Sequence, residues 1–121
     1  MNPIQELLDT PLELLLAAAR TPAEQVDALV RRANAEMDHA DVDRGKEIAL
    51  DAVKLARTSC PKAARERVLA LLCFLRTAPD NAAPLLAEAH EVAEQADEPQ
   101  LITAIVHAAR TLGVPLPTHV F

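Results

Sequence analysis

The sequence predicts an all-α fold, a short stack of antiparallel helix pairs with six to seven helices. Three observations carry this expectation. Alanine and leucine dominate the apolar half of the chain, Trp and Tyr are absent, and the aromatic residues are Phe74 and Phe121 alone. Ala and Leu lose little side-chain freedom in a helix, whereas strands favour β-branched and aromatic residues. Glycine occurs only at Gly45 and Gly113, too rarely for hairpin turns or a phosphate-cradling loop. Signals for helix starts recur at short intervals along the chain.

Those signals divide it as follows. Thr10-Pro11-Leu12-Glu13 and Thr21-Pro22-Ala23-Glu24 each place a Thr as N-cap, Pro in the first helical position and Glu where it closes a capping box. Asp97-Glu98-Pro99-Gln100 is a looser version, and Asp43 and Asp80 are further candidate caps. The expected elements are a short opening helix near 3–9 and helices near 11–20, 22–38, 43–58, 61–77, 81–96 and 98–112. A Pro-containing tail, Val114 to Phe121, follows.

Apolar residues recur at helical spacing in each long segment. Val26, Leu29, Val30, Ala33 and Met37 share one face, as do Ile48, Ala49, Ala52, Leu55 and Ala56. Ala64, Val68, Leu71, Leu72 and Leu75 align in the next helix, and Leu86, Ala89, Val92, Ala93 and Ala96 in the one after. In the last helix Gln100, Thr103, His107 and Arg110 form a narrow polar stripe with only apolar residues between, so that helix is expected to be mostly buried. Short connections force neighbouring helices to run antiparallel. Residues 1–20 carry more large apolar side chains than two short helices can present on one face, and are expected to cap the stack or to pair with a second copy. Residues 21–113 form the helical-repeat domain and 114–121 the tail.

An internal repeat is also legible. Leu55-Ala56-Arg57-Thr58-Ser59-Cys60-Pro61 and Val92-Ala93-Glu94-Gln95-Ala96-Asp97-Glu98 occupy matching helix ends, thirty-seven residues apart, each preceded by a small residue, Ala52 or Ala89. Helix pairs repeating with a period in the thirties characterise helical solenoids. With Pro61 as the repeat-closing proline, Ala49 and Ala56 take the two small positions of a second helix, with Val53 between them. On these residues the segment 24–112 resembles the tetratricopeptide-repeat superfamily in degenerate form. Glu36 and Met37 fall where that family has small or glycine residues, a departure from its pattern. The resemblance implies a right-handed superhelix whose groove holds a peptide or partner helix; an irregular helical bundle is the alternative architecture. The family's basic-and-Asn clamp for a peptide carboxylate has no counterpart here, since Asn34 is the one Asn inside a long helix.

The net charge of −6 argues against generic nucleic-acid binding, and no aromatic platform exists for stacking bases. Charge is nevertheless polarised: residues 41–80 carry a net +2, while the segments on either side carry −4 each. Lys54 and Arg57 end one helix, and Lys62, Arg65 and Arg67 begin the next. Lys54 and Arg57 complement a helix C-terminus, but Lys62 and Arg65 gain nothing of that kind at an N-terminus. Lys54, Arg57, Lys62 and Arg65 are therefore a candidate surface for an acidic protein or peptide, and the stripe Gln100, Thr103, His107 and Arg110 is a second candidate.

Evidence for chemistry is thin. The acidic segment Glu36 to Gly45 fails the test for a calcium-binding loop: counted from Asp41, the Gly and Glu positions hold Lys46 and Ala52, and counted from Asp38 they hold Asp43 and Ala49. His90 and Glu94, four apart, read as a solvated face rather than half a metal site. Cys73 lies in an apolar run and reads as a buried small hydrophobe; Cys60, close to Arg57 and Lys62, is a candidate for a thiol of lowered pKa. The hydroxyls lack a nucleophile's surroundings. No catalytic residue, cofactor or metal site is assigned. No stretch approaches the length of a membrane span, Met1-Asn2-Pro3 opens no signal peptide, and the expected compartment is the cytoplasm. The expected function is non-catalytic binding of a protein or peptide through helix-pair surfaces. A self-assembling homodimer built on the N-terminal helices is the alternative, and a small enzyme with an unrecognised site a distant third.

The alanine stripes let helix backbones approach to the short end of the usual range, about 8–10 Å. Replacing Ala52 or Ala89 with Leu is expected to overpack that interface and cost about 1–3 kcal/mol, read as a lowered midpoint in a thermal melt.

Overall fold

A computed structural model describes residues 2–114 and is all-α. Among the described residues the elements are α1 (Pro3–Asp9), α2 (Leu12–Ala18), α3 (Pro22–His39), α4 (Val42–Ser59), α5 (Ala64–Leu75), a 3₁₀ turn (Pro79–Asn81), α6 (Ala82–Ala96) and α7 (Pro99–Leu112), with no strand. The tail from Pro115 to Phe121, with Thr118 and His119, lies outside the described residues. None of the described helices is long and apolar enough to cross a membrane.

Two helices organise the packing. α3 lies against α1, α2, α4 and α5, and α5 lies against α3, α4, α6 and α7. The α3–α4 pair has the most extensive contact. Its seam is made of small residues: Ala33, Ala49 and Ala52 are fully buried, and Ala56 nearly so. One larger side chain or two from each long helix fills the space between them, Val26, Ile48, Val53, Val68, Leu71, Leu86 and Ile105 being the largest that are fully enclosed. Gly45 sits in the same seam, where an added Cβ would lie 2.6 Å from Met37 Cγ and 2.8 Å from the carbonyl oxygen of Ala33. A flexible Met can move aside, but a backbone oxygen inside a packed helix cannot. The sequence shows Gly45 as the only glycine within a helix; the structure shows that it sets how closely α3 and α4 approach.

Several boundaries differ from the sequence reading, each for a local reason. The Thr10 side chain does not cap α2. It is the C-cap of α1, and its hydroxyl donates to the Glu6 carbonyl at 2.7 Å. Thr21 does cap α3, accepting from Glu24 N–H at 3.1 Å, while the Glu24 carboxylate reaches past it to accept from Arg20 N–H. The cap of α4 is Asp41, not Asp43, with Oδ1 accepting from Arg44 N–H at 3.2 Å. Asp80 lies in the 3₁₀ turn, and α6 starts without a side-chain cap.

Asp97 ends α6 rather than starting α7. At φ 55° it takes the left-handed position of a helix C-cap, with its N–H and that of Glu98 bonded to the carbonyls of Glu94 and Ala93. Gly113 does the same for α7, where an L side chain would be strained. α5 begins at Ala64 and not at Pro61, because Ala63 N–H turns back to the Cys60 carbonyl and holds Pro61 and Lys62 in a turn.

The last helix is less buried than its sequence suggests. Only Leu101, Ile105 and Ala109 are enclosed, Ile102, Val106 and Ala108 are half-buried, and Ala104 is exposed. α7 packs mainly on α6 and α5, and much of its remaining apolar side is left without a closely packed helix among the described residues. At the other end α1 and α2 rest on α3 without a single fully buried residue, leaving Leu14 60% and Ile4 38% exposed. Leu12 and Leu16 pack against the core. The polar tie is Arg32, buried in α3, whose Nη1 donates to the carbonyls of Leu7 and Thr10 while its Nε donates to Glu36 at 3.1 Å.

Gly45→Ala is expected to destabilise the protein by about 1–2 kcal/mol, because overpacking against a fixed carbonyl outweighs the better helix propensity of Ala. A urea titration with a lowered midpoint and an unchanged slope would register it.

Candidate functional site

The basic cluster expected at the α4–α5 turn exists, but a residue from α6 reorganises it. Arg57 in the last turn of α4 donates through Nε and Nη2 to both carboxylate oxygens of Glu88, the first at 3.0 Å. This two-point geometry suits a planar guanidinium and is the strongest form of the contact. It holds the Glu88 carboxyl below its ordinary pKa, first through the Arg57 hydrogen bond, and holds Arg57 above its own. Arg67 approaches the same carboxylate less well, with Nη2 at 3.5 Å from Oε2. Its Nη1 donates to the Pro61 carbonyl at 3.0 Å, which fixes the turn before α5. Its Nε is buried and has no acceptor among the described residues. Leaving such a donor unmet costs about 1–3 kcal/mol.

The other members differ in their ties. Lys54 and Lys62 are exposed and have no ion-pair partner among the described residues, whereas Arg65 is exposed and lies 3.4 Å from Glu66. Arg57 is thus committed within the protein, and Arg67, which the sequence reading left out of the candidate set, is the guanidinium with unmet capacity. Lys62 and Arg67 line a pocket of about 240 Å3 with Pro61, Ala64, Val92, Gln95 and Ala96.

The α7 stripe forms as a row of exposed side chains. Gln100 donates to Glu98 at 2.8 Å, Thr103 donates to the Pro99 carbonyl at 3.0 Å, and Arg110 stands in the last turn. Of the four, His107 opens onto a groove. With Leu72, Leu75, Arg76, Pro79, Ala108, Thr111 and Leu112 it lines a groove of about 310 Å3 between α5 and α7. Arg76, on the groove's edge, is drawn toward α3 by Asn34 Oδ1 at 2.7 Å and by Asp38. The two candidate sets therefore do not merge. Lys62 serves the N-terminal end of α5 and His107 its C-terminal end.

Three further readings change. His90 is not on a solvated face: it is buried in α6, with Nδ1 2.8 Å from Glu94 Oε1. Among the described residues, no three His, Cys, Asp or Glu side chains are grouped to hold a metal. Cys60 does not have a lowered pKa. Burial and Glu66 push it up, against a smaller opposing effect of Arg67, and Lys62 and Arg57 do not offset them. Cys73 is buried, as its apolar run implies, and burial pushes its thiol up to about 11. Glu88 was invisible to sequence reasoning because Arg57 and Glu88 lie 31 residues apart, and no local spacing marks the pair.

What the fold and these surfaces define is an all-α helical stack with a mixed-polarity pocket and an apolar groove at opposite ends of the helix α5. Comparison with models of known protein families gave no match, and neither did comparison with curated proteins or with solved structures.

The folded-state pKa of Glu88 lies below the ordinary carboxylate value, about 4.5. Its ion pair therefore contributes fully above that value and is lost as pH falls through the lower, folded one. Glu88→Gln is expected to cost about 0.5–1 kcal/mol at neutral pH, since the pair is partly exposed. The gap from wild type should narrow as pH falls below the ordinary carboxylate value, measured as urea midpoints at neutral and acidic pH.

Proposed function

We propose that the chain is a non-catalytic binding module that holds a protein or peptide partner through its helix-pair surfaces. The observation that carries this reading is the α5–α7 groove. Its floor and walls are Leu72, Leu75, Pro79, Ala108 and Leu112, and His107, Thr111 and Arg76 supply its few polar groups. An apolar cleft with a small number of orienting polar groups is the usual makeup of a docking site, and about 300 Å3 is at the small end of the range for such sites. That space suits one or two anchoring side chains of a partner helix, the mode in which an amphipathic helix lays its apolar face into a groove. Leu112, 42% exposed, leaves part of the groove's apolar wall open to solvent. The reading agrees with the tetratricopeptide-like resemblance of residues 24–112, which implies peptide or helix binding.

A second reading has its own observation. α1 and α2 bury no residue completely and leave Leu14 and Ile4 on the surface, which favours self-association through the N-terminal helices.

Affinity capture from the native host lysate distinguishes the two. The comparison is between wild type and Thr111→Arg/Leu112→Glu, which changes two exposed groove residues. A protein held by wild type and lost from the variant, with helicity unchanged by circular dichroism, supports the groove. Equal capture by both discards it. Recovery of copies of the chain itself, abolished by Leu14→Glu, transfers the assignment to self-association.

A further inference from the structure

The pocket at the other end of α5 has a more specific chemistry than the groove. It lies between the Pro61–Lys62 turn, the first turn of α5 and the last turns of α6. Its polar lining consists of Lys62, Arg67 and Gln95, so donors predominate, two of them carry full positive charge, and no carboxylate is among the lining residues. Pro61, Ala64, Val92 and Ala96 supply apolar walls.

Arg67 is the member whose own protein leaves it incomplete. A guanidinium offers five N–H donors in a rigid fork. Of these, one nitrogen holds the Pro61 carbonyl, one reaches Glu88 only at 3.5 Å, and Nε is buried without an acceptor. Glu88 meets it only weakly, because Arg57 makes the shorter contacts to both of its oxygens. Lys62 has no ion-pair partner among the described residues. The helix ends do not alter the balance: the positive end of α5 and the negative end of α6 each carry about half a charge and oppose one another.

We propose that this pocket receives the carboxylate of an acidic side chain from a protein partner, held by Arg67 and Lys62 with Gln95 as a neutral donor. The proposal rests on the partner-binding reading and adds a second, charge-selecting contact to it. A carboxylate suits the site better than a phosphate. The apolar walls match the methylene stem of Glu or Asp, and Glu88 beside Arg67 opposes a second negative charge.

The test is fluorescence anisotropy of a labelled oligoglutamate peptide at low salt, beside the same peptide with Gln for Glu. Wild type is expected to bind the Glu peptide at least about tenfold more tightly. Lys62→Gln and Gln95→Glu, both at exposed positions, are each expected to weaken it about fivefold or more, with amide shift changes confined to the region around residues 62, 67 and 95 in the wild type. Arg67→Gln should abolish binding; because Arg67 also holds Pro61 and Glu88, the two exposed variants keep the result independent of folding. Equal binding of the Glu and Gln peptides, or binding untouched by Lys62→Gln, overturns the proposal. Displacement of the peptide by inorganic phosphate at matching concentration also overturns it, in favour of an unselective oxyanion site. A null result here beside groove-dependent capture removes this pocket and leaves the partner-binding reading standing; loss of groove-dependent capture beside selective peptide binding does the reverse.

Discussion

The packing of this protein depends on how closely α3 and α4 approach, and that distance is set where Gly45 faces the carbonyl oxygen of Ala33. A side chain at position 45 would press on backbone rather than on a movable neighbour. With the gap closed, Ala33, Ala49 and Ala52 are fully excluded from water although each contributes only a methyl group. Density in the seam comes from backbone approaching backbone. The larger residues, such as Ile48 and Leu71, are left to fill the spaces around it. α5 then beds against both members of the pair, and α6 and α7 against α5. A looser first pair would displace every later helix, since each is placed by the one before it.

Arginine does two different jobs at two places in the stack. At the N-terminal end Arg32 is buried beside Glu36 and spends a donor on the carbonyls of Leu7 and Thr10. α1 and α2 have seven residues each, too short to be stable as isolated helices, and they bury no residue completely. The satisfied guanidinium supplies the orientation that their apolar contacts leave loose. At the α4–α5 turn Arg57 and Arg67 converge on a single carboxylate, and geometry lets only Arg57 use both oxygens. Among the described residues, Arg32 leaves no buried donor unmet, whereas Arg67 has a buried Nε without an acceptor and its side chain is among those lining a pocket.

The two surface features of α5 share an origin. A helix in the middle of a stack has its sides covered by neighbours, so its ends are where gaps between helices reach solvent. At the C-terminal end the gap toward α7 is lined by leucines and stays apolar. At the N-terminal end the gap toward α6 is bordered by a turn, whose exposed Lys62 and the adjacent Arg67 make it polar. A partner spanning both would meet an apolar anchor point and a cationic one separated by the length of the helix. Such an arrangement fixes orientation as well as adding contact.

The sequence by itself determined the fold class and the elements. Alanine and leucine at helical spacing, with Thr21, Pro22 and Pro99 at helix starts, suffice because helix formation is governed by residues a few positions apart. It also identified the positively charged turn, since those residues are near neighbours in the chain. Caps were harder: Thr10, Asp43, Asp80 and Asp97 all have residue types suited to capping, yet backbone direction at each end leaves none of them accepting an N–H at a helix start. The tertiary structure decided the rest, because it depends on distant pairs. Arg57 is neutralised by a carboxylate far along the chain, His90 is buried by helices whose placement no local pattern encodes, and α7 stays half-covered because no further helix packs closely on it among the described residues. Gly45 lies between the two cases. Its presence within a helix is plain in the sequence, but its purpose is a contact with Ala33 that exists only once α3 and α4 have met.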